Sequence, residues 1–489
     1  MIEFELNGER VTEQAVSPHI TMLDYLRTRK HLQGTKEGCG SGDCGACTVL
    51  LGKRSGEQVV FEAVNACLLL LPMVHGHHLV TIEGLTSKSL IQGESLHPVQ
   101  QAMVEHHGSQ CGFCTPGIVM SLAALYHQNE LILKDSALEA LSGNLCRCTG
   151  YRPIVDAALS LNDHKADKAS CAPVMAEAKV FDPVNQISTA PLLAEATEQG
   201  ERAVYLPKDE DTLKQLLSDL PNTTLWAGGT DLALDLTQAL KPFGNIILLS
   251  GVSELHTVSE EARTIKIGAG VTYSQALETF EKQFPSIAQL THRIAAKQVR
   301  NMGTLGGNIA NASPIGDTPP VFLALGAKLE LASLKGHRWI NLDDFFLGYK
   351  QTQRQTDEYL RQIEFETLNE HQHLFVYKIS KRKEDDISAV LGAFYFDVDD
   401  NQVIQTARIA YGGMAATPQR AYALEDKLVD NVVSEALFET VSSELDSIFS
   451  PMSDVRASAQ YRMDMAKNLL IKSGIALIAM LNGDTEEGI

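Results

Sequence analysis
The sequence has no apolar run long enough to cross a bilayer. Its greasiest stretches, residues 66–74 and a segment near 476–481 interrupted upstream by Lys472, fall short of the roughly twenty residues a spanning helix needs. It also lacks a basic opening followed by an apolar segment. Met1-Ile2-Glu3-Phe4-Glu5-Leu6 is acidic and alternating, so no signal peptide and a cytoplasmic location are expected. Positive charge is in deficit, 41 basic against 61 acidic residues for a formal charge of −20, which argues against nucleic acid or an anionic membrane as the main partner. No low-complexity tract dominates, and a hydrophobic content of 44% with 21% charged residues is ordinary for a globular chain. No nucleophile–base pair and no metal-binding histidine spacing is visible among the fifteen histidines, so no catalytic residue is expected. The 489 residues leave room for about three domains.

Cysteine is what the chain does have. Nine occur, concentrated in the first third of a long chain without a secretory signal, so reduced, metal-bound thiols suit them better than a disulfide framework. Three stand at Cys-x4-Cys-x2-Cys spacing within Gly38-Cys39-Gly40-Ser41-Gly42-Asp43-Cys44-Gly45-Ala46-Cys47, and Cys67 follows. Small residues between the thiols let the backbone fold around an inorganic centre and aim amide N–H groups at its sulfurs. This is the plant-type 2Fe-2S ferredoxin spacing. Structural zinc is the alternative, although zinc knuckles usually offer paired Cys-x2-Cys units and do not call for this glycine density. The second group is Cys111-Gly112-Phe113-Cys114 with Cys146-Arg147-Cys148, the latter inside Asn144-Leu145-Cys146-Arg147-Cys148-Thr149-Gly150-Tyr151. Each short turn is expected to grip one iron, the two together clamping a second 2Fe-2S centre. A helix capped by Thr115 with Pro116 at its first position should turn its positive end to that cluster. Cys171 stands alone and reads as a spare thiol.

Ile2, Phe4 and Leu6 alternate with Glu3 and Glu5 ahead of Asn7-Gly8, a half-buried strand entering a tight hairpin turn. A helix start follows at Thr21-Met22-Leu23-Asp24-Tyr25-Leu26. Strand formers at Val59-Val60-Phe61 and His78-Leu79-Val80-Thr81-Ile82 flank Cys67. A small mixed sheet with one helix is therefore expected, the first cysteine loop at its edge. From about Ser95 the period becomes helical, through Val99, Met103, Val119, Leu122 and Leu125. Residues 163–200, rich in Ala, Asp, Glu and Lys with scattered Pro, read as a linker.

Beyond it, Thr224-Leu225-Trp226-Ala227-Gly228-Gly229-Thr230-Asp231-Leu232 runs from a short apolar strand into paired glycines. A lone Gly-Gly is ordinarily only a turn. A second stretch, Gly303-Thr304-Leu305-Gly306-Gly307-Asn308-Ile309-Ala310-Asn311-Ala312-Ser313-Pro314-Ile315-Gly316-Asp317, gathers backbone donors with Thr, Asn, Ser and Asp side chains. Two separated loops of this kind suit a dinucleotide, whose phosphates main-chain N–H groups can approach closely. Neither has Gly-x-Gly-x-x-Gly spacing, and Gly268-Ala269-Gly270 after Ile265 and Ile267 reads as a strand end, so a Rossmann site is not expected. From about residue 374, strand-like stretches at 389–397 and 403–410 precede helices at 435–449 and 461–481, a compact α+β lobe.

In this order, the plant-type cluster motif, Cys-Gly-Phe-Cys-Thr-Pro-Gly with Cys-Arg-Cys-Thr-Gly-Tyr, Ala-Gly-Gly-Thr-Asp and Thr-Leu-Gly-Gly-Asn-Ile-Ala resemble the iron–sulfur and flavin part of the molybdenum hydroxylases, the xanthine oxidoreductase family. The resemblance covers nearly the whole chain except the linker, and is to the small iron–sulfur/FAD subunit found in bacterial members of that family. It implies an α+β multi-domain fold. The parts would be a β-grasp 2Fe-2S ferredoxin domain (1–88), a four-helix 2Fe-2S domain (89–162), the linker, an FAD-binding domain of vanillyl-alcohol-oxidase (PCMH) type (201–370) and a C-terminal α+β lobe (371–489). By position, Cys39, Cys44, Cys47 and Cys67 would hold one cluster, and Cys111, Cys114, Cys146 and Cys148 the one nearer molybdenum. Leu225, Trp226, Ala227, Gly228, Gly229, Thr230, Asp231, Leu232, Gly303, Thr304, Leu305, Gly306, Gly307, Asn308, Ser313 and Asp317 would contact FAD. Gln110 matches a family position that touches the pterin and is otherwise a plain surface residue.

Two departures are implied as well. Ile294 stands where animal members place a phenylalanine on the flavin ring, and Ala389 where they place a lysine, so the ring should be held and tuned differently. The implied role is to pass electrons from a molybdopterin centre on a separate large subunit through two 2Fe-2S clusters to FAD and then NAD+. The overall reaction would be purine oxidation, hypoxanthine to xanthine to urate. A heterodimer paired into a heterotetramer is the implied assembly, and no molybdopterin part is expected in this chain. A related hydroxylase such as aldehyde oxidase or carbon monoxide dehydrogenase is one alternative, and a zinc-stabilised scaffold without redox activity is another.

Overall fold
The computed structural model describes the chain apart from residues 86–95, 129–130, 164–172, 182–188, 198–199 and 484–489. Cys171 lies outside the described residues. The chain forms two compact units, Met1–Val252 with Ala295–Gly303, and Ser253–Ile294 with Thr304–Ile489.

In the first unit, β1 (Ile2–Leu6) and β2 (Glu9–Glu13) make the expected hairpin. Its turn residues Asn7 and Gly8 both take positive φ, 52° and 79°, as a two-residue turn between twisted strands demands. With β3 (Thr48–Ser55), β4 (Gln58–Asn65) and β5 (His78–Val80) they form a sheet of order β2-β1-β5-β3-β4, in which β1 and β5 run parallel and the other pairs antiparallel. This is the mixed sheet of a β-grasp fold. Thr21 caps the helical segment that follows β2, accepting from the Asp24 amide, and the segment drives Met22, Leu23, Tyr25 and Leu26 into a core with Phe4, Val49 and Val64.

Four helices follow: Pro98–Glu105, Thr115–Gln128, Lys134–Leu141 and Arg152–Ser160. The second is buried from Gly117 to Tyr126 without interruption, the mark of a central helix rather than an amphipathic surface one. Its start corrects an expectation. Thr115 is already helical and its hydroxyl meets Ser109 Oγ at 2.7 Å, while the Cys114 carbonyl takes the first helical N–H, from Ile118 at 3.1 Å. Cys114 is therefore the cap.

The stretch expected to be linker also holds regular structure, a short helix Pro173–Ala176 and β6 (Leu193–Thr197). Strand β6 pairs antiparallel with β7 (Gly200–Tyr205), and β8 (Thr224–Trp226) and β9 (Ile246–Leu248) extend a sheet of order β6-β7-β9-β8. Only Leu193 of β6 is buried, so the strand leaves no apolar alternation to read.

The second unit opens with an antiparallel sheet, β10 (Val258–Glu261), β11 (Thr264–Gly268), β12 (Lys328–Ser333), β13 (Gly336–Asn341) and, after a small hairpin of β14 (Phe346–Gly348) and β15 (Gln351–Thr352), β16 (Tyr359–Glu366). Its order is β10-β11-β16-β12-β13, and β11 ends on Gly268 as its sequence implies. A meander of β17 (Gln372–Ile379), β18 (Val390–Val398), β19 (Ile404–Gly412) and β20 (Gln419–Arg420) follows. Helices Glu435–Ser442 and Ala459–Leu481 share its core, Phe438 meeting Phe396 edge to face at 5.5 Å. Among the described residues, no helix is long and apolar enough to cross a membrane.

Candidate functional sites
Cys39, Cys44 and Cys47 sit on a loop whose Gly40, Gly42 and Gly45 take φ of 66°, 84° and 65°, a path closed to most other residues. Cys67 follows the end of β4. The Cys47 and Cys67 sulfurs lie 3.4 Å apart in the core, and the Cys39 and Cys44 thiols are also in hydrogen-bonding contact. Donors surround them: the Ser41 amide reaches Cys39 Sγ at 3.3 Å, Asn65 Nδ2 reaches Cys47 Sγ at 3.8 Å, and the amides of Ala46 and Gly42 serve Cys44 and Cys67. The bond from Cys44 pulls Cys39 down to about 4 against the effect of burial, while the same bond and burial push Cys44 up. Cys47 is likewise lowered by its bond to Cys67, and Cys67 raised by that bond and by burial. Within each pair the shared bond thus pulls the two sulfurs in opposite directions.

The second group also meets in pairs, but not within its motifs as expected. Cys111 lies against Cys148, and Cys114 against Cys146. The two turns face each other, so the nearest sulfur to each thiol belongs to the opposite turn. Burial and then Cys146 push Cys114 up to about 12. Burial opposes ionisation of Cys146 too, but the Thr149 hydroxyl, 3.1 Å from its sulfur, and nearby amides outweigh it and lower that thiol. Tyr151, at φ 68°, closes the turn by accepting the Cys146 amide on its hydroxyl at 2.8 Å. Cys111 and Cys148 are exposed, as is Gln110.

Among the described residues, no three His, Cys, Asp or Glu side chains converge on a single metal position. The eight thiols meet two by two, and two cysteines per iron is the ligation a 2Fe-2S centre takes. Both sets, with their amide donors, fit that group.

The glycine-rich stretches can be followed within each unit. In the first unit, Gly228 lies so close to Met302 and Gly303 that a Cβ on it would stand 1.8 Å from the Met302 carbonyl oxygen. Gly229, at φ 72°, packs on the Trp226 indole, where a Cβ would fall 2.1 Å from Nε1. The Trp226 ring itself is in the core, edge-on to Phe243 at 5.4 Å, which leaves only its backbone to meet a ligand. Thr230 and Leu232 are half-buried and Asp231 exposed.

In the second unit, Thr304 caps a short helix, Leu305–Ala310, by accepting the Gly307 amide at 3.0 Å. Leu305 is buried, and Gly306 packs on Ala269 where a Cβ would clash at 2.4 Å. Gly307 is exposed, Asn308 and Ser313 half-exposed. Asn308 Oδ1 accepts from Thr318 at 2.6 Å. The amides of Gly303, Leu305, Gly306, Gly307 and Asn308 are spent on partners within the protein, against the expectation of main-chain donors here, so what this stretch offers a phosphate-bearing dinucleotide is its small residues and its Thr, Asn and Ser side chains.

Asp317 is committed inside the protein. Lys378 Nζ donates to one carboxylate oxygen at 2.7 Å and Ser388 Oγ to the other at 2.5 Å, and Lys378 also donates to the Arg293 carbonyl at 3.0 Å. Sequence reasoning missed Lys378 and Ser388. The one signal for Lys378 is a lysine set in the apolar run Leu374-Phe375-Val376-Tyr377. Burial, followed by the Asp317 charge, raises the nearby Tyr273 hydroxyl. Ile294 and Ala389 are both buried.

Four family models match the chain: a 2Fe-2S iron–sulfur cluster binding domain at residues 4–71, a [2Fe-2S] binding domain at 81–159, an FAD binding domain in molybdopterin dehydrogenase at 197–365, and a CO dehydrogenase flavoprotein C-terminal domain at 375–474. The chain is 33% identical to xanthine dehydrogenase of Drosophila pseudoobscura pseudoobscura across 98% of its own length and 39% of that protein's. It is 31% identical to xanthine dehydrogenase/oxidase of Rattus norvegicus across 90% of its length and 36% of that protein's. It thus spans about two-fifths of the length of the curated relatives it matches. Among solved structures it is similar to carbon monoxide dehydrogenase from Hydrogenophaga pseudoflava lacking the Mo-pyranopterin moiety (TM-score 0.53, 26% identity, 55% of this chain and 95% of that one). It is also similar to quinoline 2-oxidoreductase from Pseudomonas putida 86 (TM-score 0.52, 27% identity, 56% of this chain and 96% of that one).

Proposed function
This chain belongs to the molybdenum hydroxylase family as its iron–sulfur and flavin portion, and from that premise we propose that it is an electron conduit serving a molybdopterin-bearing partner. The observation that carries the proposal is the meeting of eight thiols as four pairs in two sets, each set ringed by amide donors. In it, Cys39, Cys44, Cys47 and Cys67 hold one 2Fe-2S centre and Cys111, Cys114, Cys146 and Cys148 the other. When bound, such centres carry single electrons, near −400 mV for plant-type clusters, and FAD collects them in pairs for delivery to NAD+.

The protein's part is to fix positions and potentials. The amides of Ser41, Gly42 and Ala46 stabilise anionic sulfur, and exposed Cys111 and Cys148 put the second site within reach of a partner. Leu225 to Leu232, Gly303 to Gly307, Asn308 and Ser313 serve FAD in this proposal, with Asp317 fixing the second loop through Lys378 and Ser388.

For the whole complex we propose xanthine dehydrogenase activity linked to NAD+, with a large molybdenum subunit, in a heterotetramer in the cytoplasm. The support is the full-length likeness of this chain to parts of xanthine dehydrogenases. A second reading, another hydroxylase of the family, is favoured by the likeness to carbon monoxide dehydrogenase and quinoline oxidoreductase chains. The chain co-purified with its partner should form NADH when given hypoxanthine or xanthine. Turnover of an aldehyde, carbon monoxide or quinoline without purine activity would replace the first reading with the second.

A further inference from the structure
Residues 295–303 fall within the stretch matched by the FAD-binding family model, yet they fold with the two cysteine-bearing domains of the first unit. Three side chains anchor them there. Arg300, 1% exposed, donates to Glu139 Oε1 at 2.7 Å, on the helix that precedes Cys146. Asn301 Nδ2 donates to the Ala63 carbonyl at 2.8 Å, on the strand that precedes Cys67. Gln298, with no exposure at all, reaches between these two attachments.

The orientation of the Gln298 carboxamide follows from its neighbours. Gly45 presents a carbonyl, so Asn144 turns its NH2 to it at 3.1 Å and its Oδ1 the other way. That Oδ1 accepts from Ser121 Oγ at 2.7 Å and from Gln298 Nε2 at 2.9 Å, and Gln298 Nε2 also reaches Ser121 Oγ at 2.9 Å. Gly45 lies between Cys44 and Cys47, and Asn144 two residues before Cys146. The next residue, Leu145, donates its amide to the Cys44 carbonyl at 3.0 Å. A short ladder of hydrogen bonds thus runs from the first cysteine loop to the turn of the second group, and Gln298 braces it from behind.

The fit leaves no slack. A Cβ on Gly143 would stand 2.3 Å from Ala296 Cβ, one on Gly45 2.2 Å from the Gly143 carbonyl, and one on Gly117 2.1 Å from the Gly45 carbonyl. Packing alone does not account for the amide, because Gln298 Oε1 is buried without a hydrogen-bond partner among the described residues. An apolar side chain of the same size would avoid that cost.

We propose that Gln298 is a positioning residue for electron passage between the two cluster sites, setting their separation by holding Asn144, and through it the Cys146–Cys148 turn, against the Cys44–Cys47 loop. The proposal rests on both sites holding 2Fe-2S centres. Passage between separate centres weakens steeply with each added ångström, so a brace on this joint controls the rate without touching either centre.

The test is pulsed dipolar EPR on the full chain, prepared anaerobically and reduced with dithionite, which reads the magnetic coupling between the centres. Gln298→Leu should keep its iron and both signals but show a shifted or broadened coupling. Ser121→Ala, which removes the hydroxyl shared by Gln298 and Asn144, should broaden it less, and it decides the matter if Gln298→Leu fails to retain iron. Lost stability alone would lower the melting temperature and leave the coupling of the folded chain as it was. A coupling unchanged in the variants overturns the proposal. Failure of the unsubstituted chain to give two paramagnetic centres would instead overturn the reading beneath it.

Discussion

Single residues divide into those whose type gave them away and those whose surroundings did. The eight cysteines proposed to hold the clusters belong to the first kind, since their spacing and glycine neighbours are local facts. Their partners across the second group are not, because which sulfur faces which depends on how two distant turns meet. Ser388 and Gln298 belong to the second kind, as nothing local distinguishes a buried hydroxyl or amide from an exposed one, and Lys378 offers only its place after the apolar run Leu374-Phe375-Val376-Tyr377. For Lys378 the consequence is energetic. Its side chain is 1% exposed and holds the carboxylate of Asp317, so Lys378→Met leaves a buried charge without its cation, costing about 3–5 kcal/mol. Thermal unfolding of the full chain should show the loss, with flavin released first. An unshifted melt with flavin retained would mean that the carboxylate has another source of compensation.

His97 makes a pH prediction. It caps helix Pro98–Glu105 by accepting the Val99 amide on Nδ1 at 3.2 Å, with Nε2 3.1 Å from His127 Nε2. Burial, then repulsion from His127, hold it down to about 3 from an ordinary 6.5. A depressed value means that the unfolded chain takes the proton first. The contribution is therefore whole above pH 6.5 and declines as pH falls toward 3, by about 1.4 kcal/mol per unit at most. His97→Asn, which can still cap, should flatten this slope in urea titrations at pH 7.5 and 5. An unaltered slope would assign the acid sensitivity to other groups.

Elements were legible where a period was strong and obscure where burial was one-sided or nearly absent. The β1–β2 hairpin was written in alternation and Asn7-Gly8. Strand β6 was hidden because only Leu193 is buried along it. The start of helix Thr115–Gln128 slipped by one residue because Thr115 spends its hydroxyl on Ser109. That helix meets the first cysteine loop at Gly117, where a Cβ would lie 2.1 Å from the Gly45 carbonyl. The obstacle is backbone, which cannot swing aside, so Gly117→Ala should force helix and loop apart. The expected result is a chain that still folds but holds fewer than the roughly four irons due to two 2Fe-2S centres, by iron and labile-sulfide analysis. Full iron content in that variant would show that the loop yields more easily than its packing implies.

At the scale of the molecule, the order of four motif blocks announced a multi-domain iron–sulfur flavoprotein. The division into two units could not be read, because residues 295–303 join the first unit from within a stretch whose neighbours belong to the second. The tie is made by Gln298, Arg300 and Asn301 to residues more than 150 positions away, and no local pattern encodes such a partner. The central claim is narrower: two di-iron centres held by four thiol pairs. The most direct test is low-temperature EPR of the anaerobically purified chain after dithionite reduction. Two distinct paramagnetic signals, one for each set of cysteines, are the predicted result. A silent spectrum from a colourless protein that holds zinc would contradict it.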